Sequence, residues 1–141
     1  MIRYNRLVDK ELDMSAGAHV LIIDDDAIMR DLMADWLEAA GYRICKAANC
    51  SAAVAELRRA APALIISDMF MPGPCGAMAI AQMKQAVPGV RVIAVSGHFN
   101  SGQGLSAQSA LDAGAARAFA KPVKRADLVQ AVAELLGPSA Q

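Results

Sequence analysis

The stretch Val20-Leu21-Ile22-Ile23-Asp24-Asp25-Asp26 decides the fold, because an apolar run of strand length ends directly in a cluster of carboxylates. Similar apolar runs end at Asp68, at Ser96 and at Lys121, which precedes Pro122. If these runs are neighbouring parallel strands, their carboxyl ends meet at one edge of a sheet. The sequence therefore predicts an acidic pocket with a lysine at its rim, which suits a hard metal ion and phosphoryl chemistry.

The composition indicates one domain with an aliphatic core. The chain has 141 residues, of which 55% are hydrophobic and only 4% aromatic. Fourteen basic and fourteen acidic residues cancel, which argues against a strongly basic nucleic-acid surface. No apolar run approaches the ~18 residues that span a bilayer, and residues 1–14 lack a signal-peptide core. We therefore expect a cytoplasmic protein that binds neither nucleic acid nor a membrane.

The cysteines and histidines do not predict a zinc site. Cys45, Cys50 and Cys75 are odd in number and lack the paired short spacing of zinc ligands. His19 and His98 are too scattered to complete such a site. The expected state of the cysteines is a free thiol in a reducing compartment.

Short apolar runs alternate with helical patterns, which predicts βαβ units and a parallel sheet covered on both faces. The predicted strands are residues 19–23, 43–46, 63–67, 90–95 and 117–120. The predicted helices are residues 27–40, 51–60, 77–86, 106–113 and 125–136. Together they predict an α/β fold, a doubly wound five-stranded parallel sheet with five helices. If the first and third strands are adjacent, the strand order is the flavodoxin-like 2-1-3-4-5. This domain is expected to cover residues 17–138, with a tail or arm at 1–16 and a short tail at 139–141.

Helical periodicity predicts which residues face the sheet. Asp26 is a candidate N-cap of the first helix and Gly41 a candidate residue after its end. The predicted apolar stripe of that helix consists of Met29, Leu32, Met33, Trp36, Leu37 and Ala40. The residues expected to be buried on the second and fifth helices are Val54, Leu57, Leu128, Val132, Leu135 and Leu136.

The strand-end residues have complementary chemistry. Clustered carboxylates such as Asp24, Asp25 and Asp68 need a compensating cation, and Mg²⁺ prefers such oxygen ligands. Asp68 could then act as a nucleophile toward a phosphoryl group, with Lys121 and the Ser96 hydroxyl contacting its oxygens. An Asp after a strand is often only a helix cap, and a Lys-Pro pair is often a surface turn. The occurrence of all these residues at successive strand ends favours a site.

Several longer stretches of the sequence resemble the motifs of a known protein family. They are Val20–Asp26, Ile66-Ser67-Asp68-Met69-Phe70-Met71-Pro72-Gly73, Val95-Ser96-Gly97, Gly114-Ala115 and Lys121-Pro122. By these motifs the chain resembles a response-regulator receiver domain of two-component signalling over about residues 18–137. The match covers most of the chain and all the strand-end residues named above.

The resemblance implies roles for individual residues. Asp68 is expected to be the phosphoacceptor, with Ser96 and Lys121 contacting the phosphate. The Mg²⁺ ligands are expected to be Asp24, Asp25, Asp68 and the backbone carbonyl of Phe70. Receivers usually have a cis peptide bond before the residue matching Pro122, which directs the lysine into the pocket.

The resemblance also implies partners and a switch. A histidine kinase or phosphotransfer protein would supply a phosphohistidine, and an unidentified downstream protein would read the result. Phosphorylation is expected to draw Ser96 inward and to change the surface of the fourth helix, fifth strand and fifth helix. Ile28, which lies outside the buried stripe, is a candidate contact with the phosphodonor; an isolated exposed apolar residue is the alternative.

The chain departs from the family pattern at Ala118 and at Cys75. Ala118 occupies the position of an aromatic switch residue, and Phe119 should face the other side of the sheet, so we expect output through movement of residues 97–118. Cys75 replaces an Asp that caps the third helix, which would weaken that helix start by ~1 kcal/mol.

Phe70 and His98 hold positions that, in the family that the chain resembles, modulate the lifetime of the aspartyl phosphate. A bulky Phe70 would slow hydrolysis, and His98 either orients water or, as we favour, is simply solvated.

Three functional interpretations follow. The first is a stand-alone receiver that signals by protein contact and has no enzymatic activity beyond self-phosphorylation and slow autodephosphorylation. The second is a Mg²⁺-dependent phosphatase, because Asp24 and Asp26 form the Asp-x-Asp that such enzymes use. The third is a binding module that is never phosphorylated, which the presence of Asp68, Ser96 and Lys121 disfavours.

Overall fold

Five parallel strands form one sheet in the computed structural model of the chain, which describes residues 19–70, 77–99 and 106–137. The strands are β1 (His19–Ile23), β2 (Arg43–Ala47), β3 (Leu64–Asp68), β4 (Arg91–Ser96) and β5 (Arg117–Ala120). The helices are α1 (Ala27–Ala39), α2 (Cys50–Arg59), α3 (Ala77–Ala86), α4 (Ala107–Asp112) and α5 (Arg125–Leu136). The sheet order β2-β1-β3-β4-β5 confirms the predicted fold.

Alternate residues of the central strands build two separate cores. Leu21, Ile23 and Ile65 pack with α2, α3 and α4 on one face of the sheet. Val20 and Ile22 pack with α1 and α5 on the other face. The central strands read as continuous apolar runs because both of their faces are covered. None of the helices in the described ranges has the length and apolar character needed to cross a bilayer.

The strands β3 and β4 each lie one residue later in the chain than predicted. The N–H of Met69 donates to the carbonyl of Val95 at 2.8 Å, and the N–H of Lys121 donates to that of Ser96 at 3.0 Å. These bonds extend the ladder, so Asp68 and Ser96 are the last residues of their strands rather than the first residues after them. Their backbones are therefore held by the sheet itself.

Capping determines where two of the helices begin. The Asp26 carboxylate accepts the N–H groups of Ile28 at 3.0 Å and Met29 at 3.2 Å, which confirms the predicted cap of α1. Asn49 caps α2, so that helix starts at Cys50, one residue earlier than predicted. Gly41 has a φ of 99°, as expected for the residue that follows the end of α1.

Two predicted core residues are wrong. Leu32 is 41% exposed and Val54 is 46% exposed, whereas the small residues Ala34 and Ala53 are buried beside them. A flat sheet covers only a narrow strip of each helix, so residues at the edge of an apolar stripe point sideways. The remaining predicted core residues of α1, α2 and α5 are buried or pack against the cores.

His19 is expected to make stability depend on pH. Its Nε2 is buried without a hydrogen-bond partner among the described residues, and burial, with the charges of Arg43 and Arg59, lowers its pKa below the usual value. The unfolded chain therefore takes up the proton first as the pH falls. The stability that neutral His19 contributes is complete above the unfolded pKa of 6.5. It is lost as the pH drops through the folded pKa.

The test is urea unfolding of the wild type and of His19→Leu at pH 7.5 and at pH 5.0. We expect the wild type to lose more unfolding free energy between the two pH values than the variant does. Equal losses in the two proteins would contradict the assignment to His19.

Candidate functional site

Asp24 is fully buried just beyond β1 and is held by backbone hydrogen bonds. Its N–H donates to the carbonyl of Ala47 at 3.1 Å, and its Oδ1 accepts the N–H of Asp26 at 2.9 Å. The other oxygen, Oδ2, accepts no hydrogen bond from any described residue, although Nζ of Lys121 lies 3.0 Å from it. The carboxylate is thus fixed in place with one oxygen whose charge is incompletely satisfied.

Asp68 is 4% exposed and lies beside Asp24, since β1 and β3 are neighbours. Its Oδ1 accepts the N–H of Phe70 at 3.0 Å, and its Oδ2 accepts from Nζ of Lys121 at 3.2 Å. Burial raises the pKa of Asp68 and the Asp24 charge adds to this, although the Phe70 N–H and Lys121 act in the opposite direction. The electrostatic cost of two adjacent buried carboxylates is therefore only partly offset.

Lys121 supplies the cation of the resting site. Its Nζ contacts both Asp24 and Asp68, and its side chain is 19% exposed. Burial acts to lower the pKa of Lys121, but the two carboxylates outweigh this effect and raise it. The Lys121–Pro122 peptide bond is cis, as the resemblance implied. The lysine therefore stays charged and joins the ends of β1, β3 and β5.

The carboxylates also suit a divalent cation. Asp24, Asp25 and Asp68 each offer an oxygen, and these oxygens lie within 4.8 Å of one another. Asp25 is exposed, so an ion can reach the cluster from solvent. Three carboxylates facing a single ammonium leave net negative charge, and oxygen-only ligands match Mg²⁺. The residues fit the metal predicted for them; the carbonyl of Phe70 as a further ligand stays a prediction.

The prediction that His98 is simply solvated is wrong. The imidazole stacks on the Phe70 ring with 3.8 Å between ring centroids and an interplanar angle of 29°. Sequence reasoning missed this contact because the two residues lie in different loops, whose approach depends on the adjacent ends of β3 and β4. Phe70, which is 43% exposed, and His98 thus form an aromatic pair beside Asp68.

Ser96 lies at the end of β4 and is 1% exposed. Its Oγ accepts the backbone N–H of His98 at 2.9 Å. A hydroxyl that accepts a hydrogen bond retains its own proton for donation, so Ser96 can donate to an incoming oxyanion. The structure gives no direct contact between this hydroxyl and Asp68.

The fifth strand confirms the predicted arrangement of its two central residues. Ala118 packs against the core that contains Leu21, and Phe119 packs against the core that contains Val20, on opposite faces of the sheet. The methyl group of Ala118 has no rotamer to switch. An aromatic switch at this position is therefore absent.

Sequence reasoning missed Arg30. The guanidinium Nη1 of Arg30 donates to the backbone carbonyl of Asp24 at 2.8 Å, so α1 braces the acidic loop that precedes it. The sequence signal for this contact was the position of Arg30, one turn into a helix that begins directly after the acidic loop. Ile28 is 81% exposed beside this loop, as predicted, and its role in contact with a phosphodonor is untested. Cys75 and the predicted tails lie outside the described residues.

Comparisons with known proteins agree with this geometry. Residues 20–133 match the family model described as the response regulator receiver domain. The chain is 32% identical over 117 residues to the chemotaxis protein CheY of Thermotoga maritima, covering 82% of this chain and 95% of that protein. It is 35% identical over 117 residues to the transcriptional regulatory protein DctD of Rhizobium meliloti, covering 83% of this chain but only 25% of that protein.

Solved structures give the same result. The receiver domain of NtrX from Brucella abortus superposes with a TM-score of 0.76 at 30% identity, covering 85% of this chain and 99% of that one. A CheY-like receiver domain protein from Methanospirillum hungatei superposes with a TM-score of 0.75 at 27% identity, covering 84% of this chain and 92% of that one.

Proposed function

The chain belongs to the response regulator receiver domain family, and we propose that its Asp68 accepts a phosphoryl group from a phosphohistidine donor in a Mg²⁺-dependent reaction. The observation that supports this best is the buried carboxylate pair Asp24 and Asp68, bridged by Nζ of Lys121 at 3.0 Å and 3.2 Å. In the transfer, the P–N bond to the donor imidazole breaks and a P–O bond to Asp68 forms. The imidazole leaves as the neutral base when its other nitrogen already carries a proton, and otherwise takes up one proton from solvent as it leaves.

Each side chain has a defined task in this proposal. Bound Mg²⁺, held by Asp24, Asp25, Asp68 and the carbonyl of Phe70, would supply positive charge opposite the phosphoryl oxygens. Lys121 keeps its charge and moves from the Asp68 carboxylate to an oxygen of the new phosphoryl group. Ser96 donates its proton to another oxygen, which gives the phosphorylated protein contacts that the resting state lacks.

The proposed partners are a histidine kinase or phosphotransfer protein as donor, which Ile28 would contact, and an unidentified protein as target. We place this exchange in the cytoplasm and assign it to residues 17–138. The proposal includes no catalytic activity beyond self-phosphorylation and slow loss of the phosphoryl group. Because Ala118 replaces an aromatic switch, a phosphorylated structure is expected to differ from the resting one within residues 97–118.

The deciding experiment is incubation with Mg²⁺ and acetyl phosphate or phosphoramidate, followed by intact-mass measurement. The wild type should gain ~80 Da, one phosphoryl group, and Asp68→Asn should gain nothing. Continuous hydrolysis of a phosphate ester that depends on Asp24 would instead indicate a phosphatase. The Asp26 carboxylate caps α1, which leaves the Asp-x-Asp of such an enzyme incomplete. The lack of both adduct and turnover would indicate a binding module.

The Phe70–His98 pair is expected to prolong the phosphorylated state. The two residues follow Asp68 and Ser96 at the adjacent ends of β3 and β4, and we expect their rings to limit the approach of water to the phosphorus atom. Phe70→Ala should shorten the half-life of the adduct by about fivefold, which corresponds to ~1 kcal/mol in the barrier to hydrolysis. His98→Ala should have a smaller effect in the same direction, since it removes only the stacking partner.

The half-life is measured by intact mass after the phosphodonor is removed by rapid desalting. Leu32→Ala is the matched control, because Leu32 is 41% exposed on α1 and lies outside both the site and residues 97–118. A half-life that is unchanged in Phe70→Ala would exclude the shielding role.

A further inference from the structure

An apolar groove of about 410 Å³ separates α2 from α3 on the face of the sheet opposite α1 and α5. Its walls include Ala53, Val54 and Leu57 of α2 and Ala79 and Met83 of α3. Val54 is 46% exposed in this groove although the periodicity of α2 marks it as a buried position. We call this feature the α2–α3 groove. It lies apart from the residues of the phosphoacceptor site.

The chain before β1 enters the sheet at one end of this groove. Because α2 and α3 run antiparallel to the strands, their last residues lie at the amino-terminal edge of the sheet. The strand β1 lies between β2 and β3, beneath the space between α2 and α3, and begins with His19 at that edge. The carbonyl of His19 accepts the N–H of Ala63, a few residues after the end of α2. His19, which follows residues 1–18 in the chain, therefore lies at one end of the groove.

Residues 1–18 match the groove in apolar spacing, and the part around Leu12 also matches it in charge. Tyr4, Leu7, Val8 and Leu12 are spaced as one face of a helix. The whole segment is neutral, since Arg3, Arg6 and Lys10 balance Asp9, Glu11 and Asp13, but residues 9–13 carry three carboxylates against Lys10 alone. The groove wall contains Arg58, which is exposed and makes no ion pair within the described part of the chain. An apolar stripe with carboxylates on both sides of Leu12 therefore complements a wall that combines apolar side chains with the exposed Arg58.

The segment is also long enough. Cys50 and Arg58 mark the length of the groove along α2, about 12 Å at the rise of a helix. The seven residues from Leu12 to His19 span up to ~23 Å when extended. The covalent tether raises the local concentration of the segment to the millimolar range, so burial of two or three side chains suffices to hold it.

We propose that residues 1–18 dock into the α2–α3 groove of the same chain, with Leu7, Val8 and Leu12 covering Val54 and Leu57 and the acidic side chains facing Arg58. The docked segment completes the apolar face that α2 and α3 leave open. This interaction does not require phosphorylation and stands apart from the chemistry of Asp68.

A photocrosslinker in the groove tests the proposal in the full chain. Val54→p-benzoylphenylalanine is irradiated at low micromolar concentration, and crosslinked peptides are identified by tandem mass spectrometry. We expect intrachain crosslinks to residues 1–18, reduced at least about fivefold by adding Leu7→Asp and Leu12→Asp. The same crosslinker at Ile28, which is 81% exposed on α1, is the control and should give no such product.

A second measurement keeps the native groove. Alkylation of Cys50 in the groove wall should become about fivefold faster in the Leu7→Asp/Leu12→Asp variant, while alkylation of Cys45 beneath α2 stays constant and reports an intact fold. Crosslinked dimers that dominate at low concentration would assign the groove to a second copy and overturn the proposal. The proposal also fails if no intrachain crosslink to residues 1–18 forms, or if the Cys50 alkylation rate is unchanged.

Discussion

Replacement of Lys121 by methionine is expected to destabilise the resting protein by about 3 kcal/mol at pH 7.5 without Mg²⁺. Among the described residues, the ammonium is the only cation paired with the carboxylates of Asp24 and Asp68, and both carboxylates are buried. Methionine keeps the length and packing of the side chain but leaves these charges uncompensated. The unfolding free energy is measured with urea and the fluorescence of the single tryptophan, Trp36.

The effect of Lys121→Met should depend on pH and on Mg²⁺. Loss of the ammonium raises the pKa of Asp68 further above its unfolded value. A group with a raised folded pKa favours folding at low pH and loses that contribution as the pH rises, so the destabilisation should be smaller at pH 5. Mg²⁺ should stabilise the variant more than the wild type, because it replaces the missing charge.

The matched control is Lys46→Met. Lys46 and Asp31 form an ion pair of 3.0 Å in which the two side chains are 47% and 56% exposed. An exposed pair of this kind contributes less than about 1 kcal/mol. If both variants lost the same unfolding free energy, burial of the Asp24–Lys121–Asp68 cluster would not matter, and the electrostatic account of the site would be wrong.

Replacement of Asp24 by asparagine should raise the stability of the protein and lower its affinity for Mg²⁺. Asp24 is fully buried, and its Oδ2 accepts no hydrogen bond from the described residues. Removing its charge relieves repulsion with Asp68, so the unfolding free energy should rise by about 1 kcal/mol in the absence of Mg²⁺. The same change removes a metal ligand, and the dissociation constant for Mg²⁺ should rise at least ~30-fold, or about 2 kcal/mol.

Isothermal titration with Mg²⁺ and the rate of adduct formation measure the functional half of this prediction. Asp26→Asn is the control in the same acidic run. Asparagine caps a helix as well as aspartate does, so stability should stay within about 0.5 kcal/mol. Its Mg²⁺ affinity should change by no more than about twofold, since the long-range charge of an exposed carboxylate is screened. A Mg²⁺ affinity in Asp24→Asn equal to that of the wild type would contradict the assignment of Asp24 as a ligand.

The fold was predictable because its signals are local. The apolar runs of β1, β3 and β4, the helix cap at Asp26 and the glycine at position 41 are read from short windows of sequence. Alternation along β5 also predicted that Ala118 and Phe119 face opposite sides. The errors at Leu32 and Val54 arose because periodicity identifies an apolar stripe but not how much of it the sheet covers.

The membership of the site was predictable, but its contacts were not. Asp24, Asp68 and Lys121 could be placed at one edge of the sheet because parallel strands end together. The bracing of Asp24 by Arg30 and the stacking of His98 on Phe70 depend on where loops of different elements meet. No window of sequence contains both partners of the stacked pair.

The hydrogen bond between Ser96 Oγ and the backbone of His98 has a consequence for signalling. The hydroxyl that we propose to recognise the phosphoryl group also anchors the loop that carries His98, whose ring stacks on Phe70. Under the proposed function, the Ser96 hydroxyl oxygen therefore affects both the extent of the response and its lifetime. A substitution at Ser96 is therefore expected to change the strength and the duration of the response together, whereas one at Phe70 is expected to change the duration alone.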